Sequence, residues 1–306
     1  MPEIKFYRFS FIFLLIFLIS CEAVLEKPPC PFSPTQSFED LVVKLSNEGK
    51  IIIASFNIQV FGKTKAGKPD VLKILTDIGD DFDILAVQEF RDETGEVILR
   101  YLEQLNSGEK SYDVLQSARL GRSTSKEQYA FYYDTDKFEV LKEPYIFEEK
   151  KDVFEREPFL AHFKSKQGNF DFVLVNIHTK PDDATPEINA LAEVVEKAKQ
   201  YFNEQDVIVL GDFNADGSYF KEEKDETALE TKEYSWLICD NLDTTVAKSD
   251  NTYDRIVTTQ EVMEDFANKA GVRNFAKEFG LSPENTKNVS DHFPVYAIFS
   301  TDKDTD

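Results

Sequence analysis

Basic charge is scarce in this 306-residue chain: 35 Lys and Arg face 57 Asp and Glu, for a formal net charge of −22. Such a surface excludes holding a polyanion by diffuse attraction, because phosphate contacts need Lys and Arg in place of released counterions. A polyanionic substrate stays admissible only where bound cations reverse the sign locally. Cysteine is nearly absent, at 3 residues, which excludes a disulfide-dense scaffold. Histidine numbers only 3 as well, so any imidazole chemistry rests on very few positions. The chain shows no internal repeat, no heptads and no second linker, and its strongly apolar amino-terminal run, "FSFIFLLIFLIS" (9–20), is too short to span a bilayer.

What is present is core-forming material. Hydrophobic residues make up 42% and aromatics 13%, with 27 Phe and 12 Tyr; this suffices for one large α/β domain or two small ones and favours packed sheets over a bundle. Lys5 and Arg8 ahead of the apolar run make residues 1–20 a signal peptide. The run ends in "LISC", which resembles a bacterial lipobox, so Cys21 is the expected lipidation site; an ordinary signal peptide cleaved nearby is the alternative. Residues 21–37 read as a Pro-rich tether and 38–306 as the domain. Cys30 and Cys239 then remain, and nothing in their spacing supports a bridge, so a fold held by its core is expected. The protein is expected to be an exported, membrane-anchored monomer on the periplasmic or cell-surface side.

Short β-branched and aromatic runs recur as strands at 50–58, 83–89, 129–134, 138–142, 170–178, 206–213, 255–259 and 293–299. Helical spacing appears over 68–79, 93–105 and 185–204, the last with Thr185 as N-cap and Pro186 at the first position. Polar residues fall at strand ends: Asn57, Glu89, His178, Asp212 with Asn214 and Asp216, Asp254, and Asp291 with His292. Ends of several strands converge in α/β proteins, which is where such proteins place ligands. Asn and carboxylates are hard oxygen ligands suited to Mg²⁺, Ca²⁺ or Mn²⁺, whereas zinc asks for more His or Cys. Such an ion bound at a phosphodiester neutralises phosphoryl charge while a histidine takes the proton of an attacking water.

The segments "ASFNIQVFGKTK" (54–65), "LAVQEFRD" (85–92), "SKEQYAFYY" (125–133), "EREP" (155–158), "NIHTKPDDATPEINAL" (176–191), "GDFNADGSY" (211–219), "DTT" (243–245), "YDRIV" (253–257) and "SDHFPV" (290–295) resemble, in order, the motifs of deoxyribonuclease I within the endonuclease/exonuclease/phosphatase superfamily. The resemblance implies a two-sheet α/β sandwich with helices on the outer faces, and a metal-dependent endonuclease cutting DNA outside the cytoplasm. It implies that His292 with Asp254 and His178 with Glu127 are the acid–base pairs. Asn57, Glu89, Asp212 and Asp291 would stand at divalent metals, Mg²⁺ or Ca²⁺ with Mn²⁺ admissible. Asn214, Arg91 and Arg156 would contact the substrate.

Departures from the family pattern are visible. Gln59 replaces an Arg and Ser125 an aromatic. Gly217 and "NTYDRIV" remove the family disulfides, and "FEEKKDVF" (147–154) does not keep one Ca²⁺ site, while Asp243 and Thr245 keep part of another. The alternatives are another phosphoesterase of the superfamily, sphingomyelinase-like or a phosphatase, and a surface lipoprotein that binds without catalysing. Loss of either acid–base pair would favour the last, yet all four residues are present.

Overall fold

Runs rich in Ile, Val, Phe and Tyr become strands because branched and aromatic side chains pack on a pleated surface. The computed structural model describes residues 48–221 and 227–305, with positions 1, 38, 41, 42 and 45. The segments expected as signal peptide and tether, with Cys21, lie outside the described residues, Met1 apart.

Twelve strands form two six-stranded sheets among the described residues. The first holds β1 (Ile51–Phe61), β2 (Ile84–Phe90), β3 (Tyr112–Gln116), β4 (Gln128–Asp134), β11 (Phe266–Val272) and β12 (Val295–Phe299), in the order β11-β12-β1-β2-β4-β3. The second holds β5 (Phe138–Ile146), β6 (Phe159–Ser165), β7 (Asp171–His178), β8 (Val207–Asp212), β9 (Tyr234–Trp236) and β10 (Asp254–Thr259), in the order β5-β6-β7-β8-β10-β9. Each sheet has one parallel pair at its centre, β1 with β2 and β7 with β8, and antiparallel strands outside it. Parallel neighbours need a helical crossover. α1 (Lys63–Ala66) and α2 (Pro69–Gly79) supply it in the first sheet, and α4 (Ala184–Phe202) supplies it in the second. α3 (Glu96–Leu105), α5 (Phe275–Glu278) and α6 (Pro283–Val289) are further helices.

Period-two alternation sorts the side chains into layers. Ile51, Ile53, Ile84, Ala86, Phe172, Leu174, Ile208 and Leu210 pack between the sheets. Ile52, Ala54, Leu85 and Val87 face α2 and α3 on one outer side, and Val173, Val175, Val207 and Val209 face α4 on the other. The result is the expected α/β sandwich, sheet on sheet with helices outside.

Two expectations are corrected. Thr185 is not the N-cap of the long helix: a 3-10 turn, Pro181–Asp183, starts the coil earlier, and Asp183 holds the cap position. Pro181 pre-sets the backbone angle for that turn, and Pro186 is tolerated because the first-turn N–H groups have no intrahelical partner anyway. Cys239 is disulfide-bonded, with its partner outside the described residues, so the domain is not held by its core alone.

Candidate active site

Along each central strand, the positions facing the other sheet turn from apolar to polar toward one end. Ile53 gives way to Ser55 and Asn57, Ala86 to Gln88, Leu174 to Asn176 and His178, and Leu210 to Asp212. Beneath the site, Gln88 Nε2 donates to Ser55 Oγ at 3.0 Å and to Asn176 Oδ1 at 2.7 Å. This polar bridge ties the two sheets together through the Gln88 Nε2 donor, while Gln88 Oε1 accepts no hydrogen bond from any described residue.

Register aligns the second sheet's contribution. His178 pairs with Asp212 across β7 and β8, and Asp212 with Asp254 across β8 and β10. Gly211 makes the close approach possible: a Cβ there would stand 1.8 Å from the Ile177 carbonyl oxygen. The first sheet delivers Glu89 differently. Alternation would send Glu89 to the helix side with Leu85 and Val87, but its backbone is left-handed, φ 69°, at a register break between β2 and β4. Such bulges re-aim side chains. Gln59 and Val60, at φ 43° and 47°, form a matching irregularity in β1. Val60 N–H donates to Glu89 Oε2 at 2.7 Å and Gln59 N–H to Asn57 Oδ1 at 2.9 Å. Asn214 (φ 47°) joins Gln59, Val60 and Glu89 as left-handed non-glycine residues at the site, where strain is held by surrounding structure.

The carboxylates and imidazoles converge. His292 Nδ1 lies 2.8 Å from Asp254 Oδ2, and His178 Nδ1 lies 2.7 Å from Glu127 Oε1. Both Nε2 atoms lie 3.5 Å from Asp212 Oδ2. Asn57 Nδ2 donates to that same oxygen at 3.0 Å and to Glu89 Oε1 at 3.2 Å. Asp291 Oδ1 stands 3.9 Å from His292 Nε2 and is buried without a hydrogen-bond partner among the described residues. Every residue expected at a metal or in an acid–base pair is therefore within this one cluster.

Burial by itself would lower the His292 imidazole, but Asp254, Asp212 and Asp291 outweigh it and hold the group well above its ordinary value. At His178 burial is likewise outweighed, chiefly by Glu127, with Arg156 opposing. Burial would raise Asp212; His292, His178 and the hydrogen bonds from Asn214 and Asn57 overcome that and lower it.

Other expected positions take different places. Arg91 Nη2 lies 3.3 Å from Glu89 and 3.4 Å from Glu127, and its Nη1 meets Ser125. Arg156, expected as a substrate contact, is buried: Nε lies 3.2 Å from Glu127 Oε1 and donates to the His178 carbonyl at 2.9 Å, and Nη2 donates to the Thr179 carbonyl at 3.0 Å. It braces the His178–Glu127 pair in this arrangement. Asn214 Nδ2 donates to the Thr179 carbonyl at 3.1 Å, on the site wall. Asp216 does not join the cluster; its Oδ2 accepts Thr252 N–H at 2.7 Å and closes a loop. Asp243 Oδ1 accepts from Thr245 N and Oγ1 and from Asn251 N, also within a loop.

Lys65 is a site residue that the motif reading does not single out. It is buried, and Nζ donates to the carbonyls of Ile58 at 2.7 Å and Gln59 at 2.9 Å. Ser290 is another: its Oγ donates to the Asn57 carbonyl at 2.7 Å and accepts His292 N–H at 3.1 Å. Beside the cluster an open cavity of about 440 Å³ is lined by Lys63, Lys65, Lys68, Arg91 and Lys287, a local excess of positive charge on an acidic chain.

The endonuclease/exonuclease/phosphatase family model matches residues 54–292. The chain is 39% identical over 249 residues to deoxyribonuclease-1-like 1 of Sus scrofa, covering 79% of each protein. It is 35% identical over 266 residues to deoxyribonuclease-1 of Oryctolagus cuniculus, covering 83% of this chain and 94% of that one. The crystal structure of an endonuclease/exonuclease/phosphatase from Bacteroides vulgatus shares the fold, with TM-score 0.59 and 19% identity over 83% of this chain and 99% of the other.

Proposed function

Because the chain belongs to the endonuclease/exonuclease/phosphatase family, and is thus one of its phosphoesterases, we propose that it is a divalent-metal-dependent endonuclease of DNA. The observation that carries this reading is Asp212 Oδ2, set 3.5 Å from both imidazole Nε2 atoms and 3.0 Å from Asn57. The donor set is hard oxygen throughout, and the orphaned Asp291 Oδ1 suits a cation. Glu89, Asp212, Asp291 and Asn57 would hold Mg²⁺, Ca²⁺ or Mn²⁺. The ion supplies positive charge to the phosphoryl and leaving oxygens.

His292 Nε2 takes a proton from the attacking water, and Asp254 fixes the tautomer by accepting from Nδ1. His178 Nε2 gives a proton to the leaving oxygen, and Glu127, braced by Arg156, does for it what Asp254 does for His292. Asn214 and Arg91 contact the phosphate. The lysine-lined cavity beside Glu89 suits a polymer carrying further phosphates better than a small phosphoester. The DNA assignment is further supported by the deoxyribonuclease relatives named above. Export and lipidation at Cys21 complete the proposal: Cys21→Ser is expected to release the protein from the membrane fraction, and unchanged fractionation would refute the anchor.

Plasmid nicking by the purified protein tests the activity. Nicking is expected with Mg²⁺ and Ca²⁺, is expected to stop with chelator, and is expected to fall at least about 10²-fold in His292→Ala. Folded protein that leaves DNA intact but cleaves a small phosphomonoester would shift the assignment to a phosphatase. Inertness toward both would leave a binding protein.

A further inference from the structure

The lysine-lined cavity beside the catalytic cluster does not end at Lys68. Lys68 and Asn288 also line a second cavity, of about 530 Å³, formed by residues of α2 and α6 and by Leu281. Lys68 Nζ donates to Asn288 Oδ1 at 3.2 Å, so these two side chains make a sill from one space to the next.

The chemistry changes across that sill. On the catalytic side the lining carries five cations, Lys63, Lys65, Lys68, Arg91 and Lys287, and no carboxylate. On the far side Lys68 is balanced by Asp70, and Pro69, Val71, Ile74, Leu281 and Val289 supply an apolar wall beside the amides of Asn285 and Asn288. That wall is fixed from behind: Val71 and Val289 are buried, and Ile74 and Leu281 pack half-buried on the core under the first sheet. A strand of nucleic acid is divided in the same way, with phosphates along one side and apolar base faces on the other. A duplex keeps those faces in its own stack, so only an unpaired nucleotide can lay one against a protein wall. Asn amides are suited to the edge of a base lying there.

We propose that the cavity between α2 and α6 is a subsite for an unpaired nucleotide flanking the scissile phosphate, so that the preferred substrate is single-stranded DNA or DNA with an unpaired flank. This rests on the nuclease reading and deepens it. The phosphates of the strand cross the lysines, and the next base turns over Lys68 and lies against Ile74 and Leu281. A phospholipid also joins phosphate to an apolar part, but five cations ahead of the apolar wall suit a chain of phosphates better than one.

Fluorescence anisotropy of the full chain tests the subsite, in a His292→Ala background with Ca²⁺ so that the labelled oligonucleotide is not consumed. Single-stranded DNA is expected to bind about 10-fold tighter than the duplex of the same sequence. Electrostatics alone would favour the duplex, whose charge density is higher. Leu281→Ala is expected to cut the preference to about twofold. Asn285→Asp, at an exposed position, sets a carboxylate in the cavity, is expected to do the same, and carries the test if Leu281→Ala fails to fold. Equal affinity for the two forms, or an equal loss on both in the variants, would overturn the subsite. Wild-type protein that nicks plasmid while showing no strand preference would refute the subsite and leave the nuclease, whereas protein that cleaves neither form of DNA would refute both. Displacement of the oligonucleotide by anionic phospholipid vesicles that is lost in Leu281→Ala would give the cavity to a lipid instead.

Discussion

Lys65 shows how one side chain sets the geometry of two others. Its ammonium clamps the Ile58 and Gln59 carbonyls, and the left-handed turn that follows presents Gln59 N–H to Asn57 and Val60 N–H to Glu89. Burial lowers the Lys65 ammonium to about 8 against the pull of Asp291 and Glu89, so its charge is held at a cost that only its bonds offset. Lys65→Met is therefore expected to loosen both side chains without touching the imidazoles. The half-saturating Mg²⁺ concentration should rise about 10- to 100-fold, with the rate at saturating Mg²⁺ changed only a few-fold. An unchanged metal titration would mean that Asn57 and Glu89 are held without it. The four residues proposed as acid–base pairs were legible in the sequence because each lies in a distinctive motif, and the structure brings all four together. Lys65 was not, because within "GKTKAGK" nothing marks one lysine as buried. Asn176 left a signal that was available, a lone amide inside "FVLVNIH".

At the scale of elements, strands and helices were readable from periodicity, but the devices that aim the site were not. The bulge at Glu89 needs a left-handed backbone that neither alternation nor residue type announces, and the early start of α4 came from the preceding Pro181 turn. That turn is braced by Glu187, whose Oε1 accepts Glu155 N–H at 3.1 Å and Lys180 N–H at 3.3 Å. Burial raises its carboxyl from 4.5 to about 7, with those hydrogen bonds and Arg156 opposing. A raised acid binds its proton more tightly in the folded state. Its contribution is therefore fully present below pH 4.5 and is lost as the pH climbs through about 7. The span corresponds to a loss of about 3 kcal/mol by pH 8. Glu187→Gln keeps the acceptor oxygen and removes the charge, so urea unfolding should find it more stable than the parent at pH 8 and no more stable at pH 4.5. A difference independent of pH would assign the effect to packing instead.

For the molecule as a whole, the two sheets and their strand order lay beyond the sequence, since nothing local states that β1 and β8 come from different sheets yet bring Asn57 to Asp212. The net charge of −22 was legible, and it limits how a nuclease of this composition can hold its substrate. With the bulk of the surface repelling phosphate, attraction has to come from the bound cation and from the few cations grouped beside it, Lys63, Lys68, Arg91 and Lys287. Lys63 is partly committed to Glu96, 2.9 Å away, and Arg91 to Glu89 and Glu127. Lys68 and Lys287 are then the side chains best placed to reach flanking phosphates. Each phosphate neutralised contributes about −0.9 to the slope of log affinity against log salt on duplex DNA. About three contacts give a slope of roughly −3, and replacing both lysines by alanine should bring it to about −1. Because both stand outside the reacting cluster, the loss should appear in KM, with kcat within about twofold. A double variant that keeps the parent's salt slope would show that Lys68 and Lys287 do not meet the nucleic acid, and would leave the cation and Arg91 to work against the charge of the chain.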